Sequence, residues 1–163
     1  MKIRPNTLWR VPVFCLVASW LSFHLTIRMG WFYIVKTTGP DGATNVSSDP
    51  VRSILFDAAL FLLVLFIGGL WFSLSMTRAE IAASASIIVA FYLIVTVLEL
   101  ILYPNFPVAL GLILAKSFEW TGKISSNLYQ VTHQLEISTI ISCFAPFLFV
   151  LFGRKSVRQG NLA

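Results

Sequence analysis

Four long apolar stretches, separated by short polar interruptions, dominate the pattern of this chain. They cover roughly residues 11–33, 55–77, 81–103 and 135–152. A helix needs about 20 mostly apolar residues to cross a bilayer, because in lipid every backbone polar group must be satisfied within the segment. The clearest stretch is Ala58 to Thr77, which carries no formal charge. The third is interrupted only by Glu99 and is followed by Pro104 and Pro107, which stop helices. The first is free of formal charge from Val11 through Ile27, is closed by Arg28, and leads into Trp31, Phe32 and Tyr33, a candidate interfacial belt. Trp20, well inside it, is expected in the core. The fourth contains Cys143 and Pro146, and the proline is expected to kink it. The pattern predicts an all-α protein, an integral membrane four-helix transmembrane bundle in which residues 1–163 form a single transmembrane domain.

Composition agrees. Of 163 residues, 57% are hydrophobic and 12% charged, against about 25% charged in soluble domains. With a mean hydropathy of +0.82, disorder and an ordinary water-soluble domain are both excluded. The basic segment Lys2 to Arg10 ahead of an apolar run has the layout of a secretory signal. Trp20 directly follows the small Ala18 and Ser19, and the remainder is itself strongly apolar, so a retained helix is expected.

Charge predicts orientation. With both termini cytoplasmic, that side holds Lys2, Arg4, Arg10, Arg78, Arg154, Lys155 and Arg158 against Glu80, seven bases to one acid and a net +6. The opposite side holds Arg28, Lys36, Arg52, Lys116 and Lys123 against Asp41, Asp49, Asp57, Glu99, Glu119 and Glu136, a net −1. The pI of about 9.6 is then explained by topology and by anionic lipid on the cytoplasmic face of the plasma membrane. No nucleic-acid partner is implied, since no basic run is long or interleaved with aromatics.

The connections differ in kind. An outer loop, 36–52, carries the turn signals of Thr-Thr-Gly-Pro-Asp-Gly and the acceptor triplet Asn45-Val46-Ser47. A tight turn at Thr77 to Glu80 predicts that the second and third spans pack as antiparallel neighbours. Ala82, Ser86 and Ala90, at steps of four, would meet Gly68 and Gly69 there, or form a seam with a homodimer or membrane partner. The third connection, 106–134, is expected as an amphipathic outer-surface segment, or as an extension of the fourth span above the membrane, because Ile124, Leu128, Val131 and Leu135 form one helical stripe. Trp120 and Tyr129 would then lie at headgroup depth. A re-entrant hairpin from Phe106 to Lys116 is the alternative. No internal repeat is visible.

Ionisable residues inside spans are costly and mark candidate sites. His24, Arg28, Asp57, Glu99, His133 and Glu136 all fall at similar depth in the predicted outer half, where they would form a polar vestibule. His24 and Arg28 are four apart, on one helix face. Such a cluster suits a small polar or anionic headgroup, a proton relay, or a metal held by two histidines and a carboxylate. No diagnostic metal spacing, glycine-rich cradle, serine elbow or paired aspartates occur, so no metal and no cofactor are expected. Cys15 and Cys143 lie within spans and are expected to be inert thiols. The reading is a small non-enzymatic membrane protein, an accessory or assembly subunit or a small-solute carrier component. The alternative is an intramembrane enzyme acting on a lipid or quinone headgroup through Glu99 with His24 or Arg28.

Overall fold

The structure, a computed structural model, describes residues 4–38, 42, 44–102 and 116–154. The helix-stopping prolines at 104 and 107, the candidate re-entrant segment up to Ala115, and the charges of Lys2, Asp41, Lys155 and Arg158 lie outside the described residues.

The protein is all-α in class, with four apolar segments long enough to span a membrane. A 3-10 turn at Pro5–Thr7 leads into α1 (Arg10–Arg28) and a single turn α2 (Gly30–Tyr33). α3 (Pro50–Ser75) and α4 (Arg78–Leu102) follow. α5 (Glu119–Thr132) and α6 (Leu135–Cys143) come next, and a 3-10 segment, Ala145–Phe152, ends the described chain. Residues 36–52, expected as a loop, instead hold an antiparallel hairpin of β1 (Ile34–Thr38) and β2 (Thr44–Ser48). Its strands are rich in β-branched Ile, Val and Thr, which favour the pleated conformation. Asn45 is exposed on β2. Asp49 then caps α3, its carboxylate accepting from Val51 N at 3.0 Å and Arg52 N at 3.2 Å, with Pro50 in the first turn.

The fourth span reaches across by changing helix type. Pro146 cannot donate an N–H, and from Ala145 onward the chain winds as a 3-10 helix. With rises of about 1.5 Å per α residue and 2.0 Å per 3-10 residue, Leu135 to Phe152 extends about 30 Å, the thickness of a hydrocarbon core.

The 3-10 segment also corrects the expected neighbours. α3 and α4 leave their turn and the 3-10 segment packs against both, so the two helices do not zip together. Gly68 instead makes room for Phe14 and Phe149, and Gly69 for Phe152: a Cβ at either glycine would lie 2.6 Å from a ring carbon. Ala82 is half-buried, while Ser86 and Ala90 lie on the exposed side of α4. The buried face of α4 is Ile81, Ser84, Ala85, Ile88, Val89 and Tyr92. Phe149 is the centre of the aromatic core, edge-on to Phe14 at 5.6 Å and to Phe72 at 5.1 Å. Cys15 and Cys143 are buried and unbridged, as expected. Trp20 is not in the core; it is 59% exposed, edge-on to His24.

Arg4, the α3–α4 turn and Arg154 share one end of the bundle, hereafter the terminal end; the hairpin and Asp49 mark the other. Thr77 and Glu80 form a reciprocal capping box at the start of α4, with Thr77 N donating to Glu80 Oε2 at 3.0 Å and Glu80 N donating to Thr77 Oγ1 at 3.4 Å. Arg4 closes on the same carboxylate at 2.7 and 3.1 Å. Arg154 is stitched to the turn through its backbone, and Gly153 lies so close to Arg78 that a Cβ would sit 2.8 Å from its Cα.

Candidate functional site

The helix that sequence reasoning placed on the outer surface lies inside the bundle. α5 packs against α1, α3 and α6, and Trp120 is fully buried, stacked on Phe61 at 5.3 Å and tilted against Phe149 at 5.7 Å. The buried face of α5 is Trp120, Thr121, Lys123 and Ser125, whereas Val131 is 80% exposed and Leu135, at the start of α6, 65% exposed. Leu128 and Ile124 are half-buried. Thr121, Lys123 and Ser125 thus turn inward beside Trp120, while Tyr129 and Val131 lie on the outer side, where lipid tolerates apolar surface.

α5 ascends toward the hairpin end, because Trp120 sits at the level of Phe61 and Ser126 at the level of Asp57, one turn nearer the hairpin on α3. The chain then reverses within two residues. His133 takes a left-handed conformation (φ 53°) and its N–H donates to Tyr129 O at 2.8 Å. Thr132 and Ser138 hydroxyls meet at 2.8 Å across the reversal, and Ser125 and Thr139 at 3.4 Å one turn below.

The packing of α5 delivers Lys123 into the bundle wall. Its ammonium lies 2.8 Å from Glu119 and 3.1 Å from Asp57, with only 9% of its side chain exposed. Ser126 donates to the second Asp57 oxygen at 3.0 Å, and Thr26 of α1 donates to Glu119 at 3.4 Å. One cation therefore neutralises two carboxylates on two helices, which leaves a net negative charge in the cluster. A buried ammonium between two acids persists because removing any member strands the others in a poor solvent for charge.

Beside the triad, α4, α5 and α6 enclose an open groove of about 340 Å³. Thr96, Ser125, Ser126, Thr139 and Ser142 supply hydroxyls to its wall, and Glu119 and Glu99 supply carboxylates. Among the described residues, the Glu99 carboxylate has no hydrogen bond or ion pair. It is half-buried near the hairpin end of α4.

The six residues expected to form a vestibule are not brought together. Asp57 and Glu99 reach the α5 region. His24 and Arg28 lie on the exposed side of α1, and the ring contacts of His24 are with Trp20 at 4.4 Å and Phe23 at 5.6 Å. Neither lines the groove. His133 and Glu136 are exposed at the helix reversal, where the backbone of His133 makes the turn. The anion-binding and metal readings lose their ligands accordingly, and among the described residues no three acid, histidine or cysteine side chains converge on a metal position. Sequence reasoning missed Glu119 and Lys123, although an acid and a base four apart beside Thr121 and Ser125 mark a polar helical stripe.

The four apolar spans, with side chains such as Leu62, Phe66, Leu70 and Leu74 at least half exposed along the outer side of α3, define a multi-pass helical membrane protein. No protein-family model, curated protein or solved structure matches the chain.

Proposed function

We propose that the protein is a small non-enzymatic membrane subunit, an accessory or solute-carrying component of the plasma membrane with both termini cytoplasmic, whose groove receives an amine-bearing polar group from the hairpin side. One observation carries this reading: among the described residues Glu99 is a carboxylate without a partner, in a groove whose wall mixes the hydroxyls of Thr96, Ser125, Ser126, Thr139 and Ser142 with the apolar Phe118 and Leu135 and the lysine-paired Glu119. An ionisable side chain at membrane depth without a partner favours a ligand that supplies one. The charge balance selects a cation, since Lys123 is already shared by Asp57 and Glu119. The basic terminal end and the near-neutral hairpin end support the orientation.

The test uses ethanolamine, a small molecule with both an ammonium and a hydroxyl, titrated against the purified protein in maltoside micelles. A saturable rise in the unfolding midpoint that is absent with propionate and lost in Glu99→Gln supports the reading. No rise, or a rise that survives in Glu99→Gln, rejects it.

A further inference from the structure

We propose that a second site, at the terminal end, binds a phosphate group. A pocket of about 400 Å³ opens there, lined by Arg4, Arg10 and Arg154 together with Ser75 and Thr77. Two of the three guanidinium groups are held in place by the fold. Arg4 is fixed by its two bonds to Glu80 and a third to Ser75 O at 2.9 Å. Arg154 is tied through Nε to Ser73 O at 2.8 Å, and among the described residues its terminal nitrogens have no acceptor. Among the described residues the Arg10 guanidinium has no partner.

Three arginines thus line one cavity, and among the described residues the acid beside them is Glu80, whose carboxylate is already engaged by Arg4 and Thr77, which leaves Arg10 and Arg154 without an acidic partner there. A planar guanidinium fork matches the oxygens of a phosphate, and groups held in advance lose little entropy on binding. Leu74, 71% exposed, forms an apolar flank of the pocket at the end of α3. A phosphate at this depth with hydrocarbon alongside is the layout of an anionic phospholipid, and a soluble phosphate anion shares the polar chemistry. The site is at the opposite end of the bundle from the groove and does not depend on it.

The experiment measures the unfolding midpoint in maltoside micelles titrated with phosphatidylglycerol, phosphatidylcholine or inorganic phosphate. Wild-type protein is expected to give a saturable rise with phosphatidylglycerol that exceeds the rise with phosphatidylcholine. In Arg10→Gln, half-saturation should need about tenfold more phosphatidylglycerol, as for the loss of one charge-assisted hydrogen bond. Arg10→Lys, which keeps the charge and removes the fork, should fall between. A saturable response to inorganic phosphate that is weakened in Arg10→Gln identifies a free anion as a sufficient ligand; a response to phosphatidylglycerol alone identifies the lipid. Equal responses to the two lipids without a response to inorganic phosphate, no response to any of the three, or an undiminished response in Arg10→Gln overturns the proposal.

Discussion

At the terminal end Glu80 is 4% exposed and engages Arg4 and Thr77 with its carboxylate; at the hairpin end Glu99 sits on the same helix, half-buried, with no partner among the described residues. The two acids are 19 positions apart on α4, Glu80 in the first turn, where the helix N-terminus favours an acid, and Glu99 near the last turn, where it does not. What separates them further is what the rest of the chain brings. The terminal end meets Glu80 with a cap residue and an arginine, and its carboxylate closes a joint. The hairpin end receives α5, whose only cation within the wall, Lys123, is taken by Asp57 and Glu119. The comparison teaches that an intramembrane acid is read from its neighbours, not from its depth.

The comparison is broken most severely at Lys123. Lys123→Met should destabilise the protein by about 3–5 kcal/mol, because it leaves Asp57 and Glu119 buried and unpaired. A large fall in the unfolding midpoint in micelles is expected, with recovery when Asp57→Asn and Glu119→Gln are added. A midpoint within a degree or two of wild type would show that the triad is solvated. Gly69→Ala should cost about 1–3 kcal/mol by overpacking against Phe152, and Ser86→Ala, on the exposed side of α4, should cost nothing measurable. If the order is reversed, α3 and α4 pack against each other after all.

Glu80→Gln keeps a residue able to complete the capping box but loses the ion pair with Arg4, and should cost about 1 kcal/mol, measured as a loss of midpoint that Arg4→Gln largely reproduces. Glu99→Gln should change stability by less than about 0.5 kcal/mol, the size typical of a side chain with no partner to lose. A larger fall would reveal a structural bond and remove the contrast with Glu80.

The spans were legible because lipid demands length and apolarity, and both are written linearly. Thr77 to Glu80 was legible as a tight turn. The position of α5 was not, because Ile124, Leu128, Val131 and Leu135 were read as the apolar face of a helix lying on the membrane surface, whereas α5 packs among α1, α3 and α6. There Val131 and Leu135 are exposed, and Thr121, Lys123 and Ser125 turn in. The vestibule failed for a related reason: equal depth says nothing of azimuth, and His24 and Arg28 point away from the helices that carry Asp57 and Glu99. The glycines Gly68 and Gly69 were correctly singled out as points of close approach, but their partners are aromatic rings delivered by the fourth span.

The 3-10 segment at Ala145–Phe152 has a consequence for register as well as for reach. With three residues per turn, positions three apart are eclipsed, so Pro146, Phe149 and Phe152 line up as a straight ruler along the segment, with Phe149 set against Gly68 and Phe152 against Gly69. An α-helix would have wound these three side chains around its axis. A single residue inserted after Ala145 would turn the ruler by about 120°, carry both rings off their glycines, and leave the fourth span long enough to cross but with no notch to fit.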